Sequence, residues 1–137
     1  MSTHLKSRLE KIDDVLAKLV EQAKSGKPMV VEGKKDSHAL SILGVGGKVL
    51  TVKTGGKSFL QVTAEIESLG TSEVILLLDF DHRGREGTKR LQQNLERTNT
   101  KVNVQFWREL ASLVSRDVQC IEGLPAYLVT IQQKQAG

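Results

Sequence analysis

The fold of this chain is decided by residues 74–84, which read VILLLDFDHRG. Five consecutive branched apolar residues are typical of a strand that is buried on both faces, as in the middle of a parallel sheet. The run ends in Asp79 and Asp81, which lie two residues apart and therefore share one side of an extended backbone. Gly84 then permits a tight turn into a helix that we expect over residues 85–98.

The two aspartates at this strand end have two interpretations. Carboxylates held close together repel each other, and a hard divalent cation such as Mg²⁺ that takes their oxygens as ligands removes this repulsion. The pair therefore favours a metal site. The alternative is structural, because aspartate is common at helix N-caps and Asp81 is well placed to cap the following helix. The pair alone leaves both interpretations open.

The rest of the chain alternates short apolar strands with amphipathic helices. Strands are predicted at residues 29–31, 48–52 and 102–106, and helices at residues 5–24, 36–43, 59–69, 108–114 and 126–133. This alternation predicts a three-layer α/β domain with a central, mainly parallel four-stranded sheet and flanking helices. We expect residues 1–27 to form an N-terminal amphipathic helix, which packs on the sheet or mediates self-association, and residues 28–137 to form the α/β domain.

A third acidic residue follows another predicted strand. Residues 29–31 are apolar and are followed by Glu32 and Gly33. Ligands of such sheets bind beyond the carboxyl ends of the strands. Because parallel strands end at the same edge, we expect Glu32 to lie near Asp79 and Asp81. This convergence favours the metal site over a simple helix cap.

Composition and charge limit the class of protein. The chain has 137 residues, of which 39% are hydrophobic and 26% charged, as expected for one globular domain or one domain with an extension. It has no long apolar run and no apolar signal core, so we expect neither a membrane span nor a secretory peptide. The single cysteine, Cys120, rules out an internal disulfide and a Cys-rich zinc site and favours a cytoplasmic location. We expect Cys120 to be a small, partly buried residue.

Basic residues are concentrated after two of the predicted strands. The net charge of +4 is modest, but cations beside clustered acids suit a site that handles phosphodiesters. The residues that we predict to contact nucleic acid are Lys34, Lys35, Lys57, Arg83, Arg85, Lys89 and Arg90.

Two other phosphate-handling motifs match less well. Residues 51–58, TVKTGGKS, approach a phosphate-binding P-loop, but Thr51 stands where the first glycine belongs. A helix N-terminus that accepts a backbone phosphate is the better interpretation. The paired aspartates also resemble the nucleophile motif of haloacid-dehalogenase-type phosphatases. That motif usually has a threonine or valine where this chain has Arg83. It also lies on the first strand, whereas the aspartates here follow the third predicted strand.

Two segments together resemble the signature motifs of the Toprim domain. They are residues 30–36, VVEGKKD, and residues 77–84, LLDFDHRG. The Toprim domain is shared by type IA and type II topoisomerases, bacterial-type primases, OLD-family nucleases, a recombination protein and a ribosomal-RNA maturation nuclease. The resemblance covers roughly residues 28–122, and its form is most similar to the ribosomal-RNA nuclease group and to small stand-alone Toprim proteins.

The resemblance implies a Toprim (Rossmann-like) fold and assigns roles to individual residues. Glu32, Asp79 and Asp81 become the catalytic and metal-binding candidates, with Glu32 as the acid/base residue and the two aspartates as ligands of Mg²⁺ or Mn²⁺. Gly33, Asp36 and Gly84 match the supporting positions. The only tyrosine, Tyr127, lies in a late apolar helix and is expected in the core rather than in a strand-passing role.

Two functions follow from the resemblance. The first is a Mg²⁺-dependent nucleic-acid-binding protein that acts on phosphodiester bonds in DNA or RNA processing. The alternative is a non-catalytic nucleic-acid-binding accessory subunit whose acids are vestigial or structural. In both cases the expected partner is DNA or RNA. The N-terminal helix could also form a homodimer or a larger protein complex. We expect no membrane partner.

Overall fold

The strands of this chain form one parallel sheet in the order β2-β1-β3-β4. The computed structural model describes residues 3–53 and 56–136. Within them the strands are β1 (Met29–Val31), β2 (Val49–Thr51), β3 (Glu73–Leu76) and β4 (Lys101–Asn103). In the register, Val30 pairs with Leu50 on one side and Leu76 on the other. The predicted parallel four-stranded sheet is confirmed, with the two acid-bearing strands β1 and β3 at its centre.

Helices cover both faces of the sheet. The described residues form α1 (Thr3–Lys24), α2 (Lys34–Ile42), α3 (Phe59–Ser68), α4 (His82–Glu96), α5 (Gln105–Val114) and α6 (Leu124–Ala136), with a 3₁₀ turn at Ile121–Gly123. Within this described part, every helix falls short of the length or the apolar character that a membrane span requires.

Alternating strand residues supply two separate cores. Val31, Ile75 and Leu77 are buried in one cluster with side chains of α1, α2, α5 and α6. Leu76 and Leu78 are buried in the other cluster, against α3 and α4. Because successive strand residues point to opposite faces, a sheet with five consecutive apolar residues needs a helical layer on each side. The three-layer architecture is therefore a direct consequence of residues 74–78.

Helix α1 uses its apolar stripe inside the domain. Ile12, Leu16 and Leu19 are buried in the same cluster as Met29 and Val31 of β1, and α1 packs against α5 and α6. The helix ends before Gly26, whose φ of +93° lies in the left-handed region that favours glycine. Packing within the chain is thus one of the two predicted roles of this helix, and self-association remains a prediction.

Several predicted boundaries were wrong. Strand β4 ends at Asn103, and Phe106 belongs to α5. Phe106, Leu110 and Val114 recur every four residues and are buried together, so a helical stripe prevails over the short alternation that predicted a strand. Helix α2 begins at Lys34, two residues earlier than predicted, and its N-cap is Gly33. Helix α4 begins at His82, three residues earlier than predicted, because Asp81 is its N-cap.

Candidate functional site

The acidic residues meet where the two central strands end. Glu32 directly follows β1, and Asp79 lies three residues after β3. The chain beyond β3 stays beside β1, since the Leu77 amide donates a 2.8 Å hydrogen bond to the Val30 carbonyl. Glu32, Asp79 and Asp81 line one cavity of about 450 Å³. The structure thus brings together the three candidates that the sequence placed on two separate segments.

Cations share this acidic cavity with the carboxylates. Lys53, Lys57 and Arg83 line it, and Lys57 Nζ pairs with Glu65 Oε2 at 2.9 Å. Lys53 had not been selected as a site residue from the sequence. The signal that could have identified Lys53 is its position two residues after the end of β2, at the same edge of the sheet as the acids. In the structure its amide donates a 2.9 Å hydrogen bond to the Glu32 carbonyl.

Asp81 serves as a helix cap and also lines the cavity. Its Oδ1 accepts a 2.8 Å hydrogen bond from the Gly84 amide at the start of α4. This bond satisfies one of the free N–H groups of the first helical turn. A carboxylate has a second oxygen, which Asp81 can still offer to a ligand. The two interpretations of Asp81 are therefore compatible.

Asp36 is a positioning residue at this site. Its side chain is only 6% exposed, and both carboxylate oxygens are used within the protein. Oδ2 accepts from the Gly33 amide at 3.0 Å, and Oδ1 accepts from the Glu122 amide at 2.9 Å. Asp36 therefore joins the turn that carries Glu32 to the turn that precedes α6.

Replacing Asp36 with asparagine is expected to lower the free energy of unfolding by about 1–3 kcal/mol. An amide has only one acceptor oxygen, so its NH₂ group would face one of the two backbone N–H donors. Urea denaturation measures the change. Asp13→Asn is a suitable control because Asp13 is exposed on α1. Equal stabilities of Asp36→Asn and the parent would show that the two hydrogen bonds contribute nothing.

Burial and neighbouring carboxylates raise the pKa of Asp79. Burial is the largest cause, and together with the charges of Glu32, Asp36 and Asp81 it raises this pKa to about 7, while the charge of Lys53 lowers it. The ionised form of Asp79 is therefore costly unless a cation lies nearby. Carboxylate oxygens are the ligands that Mg²⁺ and Mn²⁺ prefer, so the residues present fit such an ion.

Cys120 lies beside these acids, which the sequence did not indicate. Its Sγ and one oxygen each of Asp36 and Asp79 lie within 4.8 Å of one another. Burial raises the pKa of the thiol, and the charges of Asp36 and Asp79 raise it further. A protonated thiol is a poor ligand for a hard cation, so the fit to Mg²⁺ depends on the carboxylates. The predicted partial burial of Cys120 is confirmed.

The basic residues predicted to contact nucleic acid occupy different places. Lys57 and Arg83 line the acidic cavity. Lys34 and Lys35 line an adjoining cavity of about 230 Å³ that also includes Glu32 and Asp79. The other three lie farther along α4: Arg85 and Lys89 line a separate groove, and the Arg90 guanidinium stands 4.7 Å from the centre of the Phe59 ring.

Comparisons with known proteins identify the family of this chain. A family model of the Toprim domain matches residues 26–106. A UPF0292 protein of Methanocaldococcus jannaschii is 33% identical over 120 residues, covering 87% of this chain and 91% of the relative. A UPF0292 protein of Methanosarcina acetivorans is 29% identical over 129 residues, covering 94% and 88% of the two chains.

A solved structure from Aquifex aeolicus has the same fold. It superimposes with a TM-score of 0.65 at 24% identity and covers 81% of this chain and 95% of its own. The match to the family model spans more than half of the chain and includes both acidic motifs. This chain therefore belongs to the Toprim domain family.

Proposed function

We propose that this chain is a Mg²⁺-dependent Toprim protein that binds nucleic acid and acts on its phosphodiester bonds, as a nuclease or phosphoryl-transfer enzyme of DNA or RNA processing. One observation carries the proposal: Glu32, Asp79 and Asp81 line a single cavity together with Lys53, Lys57 and Arg83. Acids suit a divalent cation, and the surrounding bases suit the phosphates on either side of the reacting one.

Each residue has a defined role in this proposal. Asp79, Glu32 and the free oxygen of Asp81 hold the cation, with Mn²⁺ as a substitute for Mg²⁺. When bound, the cation neutralises charge on the scissile phosphate and helps to position the attacking oxygen. Glu32 also exchanges a proton with the attacking or leaving oxygen.

The cations around the acids bind and orient the substrate in this proposal. Arg83 and Lys57 bind the phosphates that flank the reacting one. Lys34 and Lys35 hold the strand at the adjoining cavity, which also includes Glu32 and Asp79. A cytoplasmic location is part of the proposal and is supported by the single cysteine.

Cleavage of labelled oligonucleotides tests the proposal. Single-stranded and duplex DNA and RNA are incubated with the protein in Mg²⁺, in Mn²⁺ or in EDTA. We expect cleavage only with metal, and we expect Asp79→Asn to reduce it by roughly 100-fold or more, since a metal ligand is lost. The same variant should still bind oligonucleotides in EDTA, and Asp13→Asn should behave as the parent does.

The alternative is a non-catalytic nucleic-acid-binding accessory protein. It is favoured by the structural partners of two acids, because Asp81 caps α4 and Asp36 joins two turns. This alternative predicts that the parent binds nucleic acid equally well in Mg²⁺ and in EDTA and cleaves none of the substrates. That result would overturn the enzymatic proposal.

A further inference from the structure

A second cavity lies between α4 and α5, apart from the acids. We call it the α4–α5 groove; it has a volume of about 450 Å³, and its lining includes Arg85, Lys89, Trp107 and Arg108. None of the three acidic candidates lines it. The groove is therefore a separate site whose chemistry needs its own explanation.

The groove has the charge of a surface that binds a polyanion. Arg85, Lys89 and Arg108 are exposed, and Glu96 is the one acid among the described lining residues. Within residues 3–53 and 56–136, the ion pairs involve other cations, such as Arg8, Lys27 and Lys57. Three cations that have no acidic partner there are available to bind phosphates.

Trp107 adds an aromatic surface to these cations. Its side chain is partly buried, and Nε1 donates a 2.9 Å hydrogen bond to the Leu78 carbonyl, directly before Asp79. This bond holds the indole ring in one orientation. Cations beside a fixed aromatic ring are typical of sites that bind single-stranded nucleic acid, where a base stacks on the ring and phosphates contact the charges.

The groove and the acidic cavity both have a lining residue in the first turn of α4. Arg83 lines the acidic cavity, and Arg85 lines the groove. The two arginines are about 3 Å apart along the helix axis but lie on different faces of α4, since residues two apart do not face each other. A strand bound in the groove would therefore reach the acidic cavity by passing across the N-terminal end of α4. A duplex cannot do the same without unstacking, because its bases are paired inside the helix.

We propose that the α4–α5 groove binds single-stranded nucleic acid, with one base against Trp107 and neighbouring phosphates at Arg85, Lys89 and Arg108, and leads the strand to the acidic cavity. This inference rests on the proposed function only in taking nucleic acid as the ligand. It does not depend on a metal or on cleavage.

Intrinsic fluorescence gives a direct test, because Trp107 is the only tryptophan of the chain. The protein is titrated in EDTA with a 12-nucleotide single strand of DNA or RNA, with the matching duplex and with an acidic peptide. We expect the single strands to quench Trp107 and the duplex to quench it much less. Binding of single strands without quenching would overturn the inference, and so would equal quenching by the duplex or the peptide.

A matched pair of double variants tests the cations. Arg85→Ala with Lys89→Ala removes one arginine and one lysine from the groove, and Lys101→Ala with Arg116→Ala removes the same charges from exposed positions outside it. We expect the groove variant to bind single strands roughly tenfold more weakly than the parent. The slope of log affinity against log salt concentration should become shallower by about 1.4, the value for two lost phosphate contacts on a single strand. Equal losses in both variants would overturn the inference.

A minimal phosphodiester separates this inference from the proposed function. Bis(p-nitrophenyl) phosphate has a single phosphate and no base, so it lacks the neighbouring phosphates that the groove is proposed to bind. We expect the ratio of single-strand cleavage to hydrolysis of this compound to fall in the groove variant and to keep the parent's value in the Lys101→Ala, Arg116→Ala control. An unchanged ratio in the groove variant would overturn the inference. The parent could hydrolyse no phosphodiester and still show Trp107 quenching by single strands, with weaker binding by the groove variant. In that case the enzymatic proposal fails, and the inference that the groove binds single strands stands.

Discussion

Replacing Gly84 with alanine is expected to lower the free energy of unfolding by about 3 kcal/mol. A Cβ at this position would lie 2.0 Å from the Asp79 carbonyl oxygen and 2.5 Å from the carbonyl carbon. Both are backbone atoms, so no side-chain rotation relieves the overlap. The start of α4 or the strand end that carries Asp79 must therefore move, and the acidic cavity should change with it.

Urea denaturation measures this loss, and Gly46→Ala is the matched control. A Cβ at Gly46 would have no heavy atom within 4 Å. We therefore expect the control to change the stability by no more than about 0.5 kcal/mol. Equal stabilities of the two variants would show that the close approach of Gly84 to Asp79 is not required.

Replacing Asp79 with asparagine is expected to stabilise the metal-free protein at pH 8 by about 1–2 kcal/mol. Burial and the carboxylates of Glu32, Asp36 and Asp81 raise the pKa of Asp79 to about 7, so its ionised form disfavours the folded state. The expected gain is smaller than the full pKa shift implies, because Asp79 is partly exposed and its charge is screened by water.

The pH dependence follows from the direction of this pKa change. Between the ordinary value of 3.8 and about 7, folded Asp79 keeps a proton that the unfolded chain has released. The stability of the parent should therefore fall as pH rises through this window, with the full penalty present above pH 7. Asp79→Asn lacks this contribution, so its advantage should be largest at pH 8 and disappear near pH 4.

Thermal unfolding with and without Mg²⁺ completes this test. A cation that binds only the folded parent should raise its Tm, and Asp79→Asn should lose that response. If Asp79→Asn instead destabilises the metal-free protein by more than about 2 kcal/mol, the carboxylate is a structural hydrogen-bonding partner. The accessory function would then be the better interpretation.

Local sequence patterns were sufficient to predict the architecture and to predict that the acidic residues lie close together. An apolar run that ends in acids predicts a buried parallel strand, and parallel strands end at one edge. Glu32, Asp79 and Asp81 therefore line one cavity, as expected. The same local reasoning failed at Phe106, because a short apolar alternation also fits the first turn of an amphipathic helix.

The sequence by itself determined the parallel sheet, the acidic residues at two of its strand ends and the family. Only the tertiary structure decided which partners support these ends. Asp36 bonds to an amide 86 positions away, and Trp107 bonds to a carbonyl 29 positions away. Such contacts depend on how the helices pack, which no local periodicity encodes. For the same reason, Arg83 and Arg85 look alike in the sequence but line different cavities.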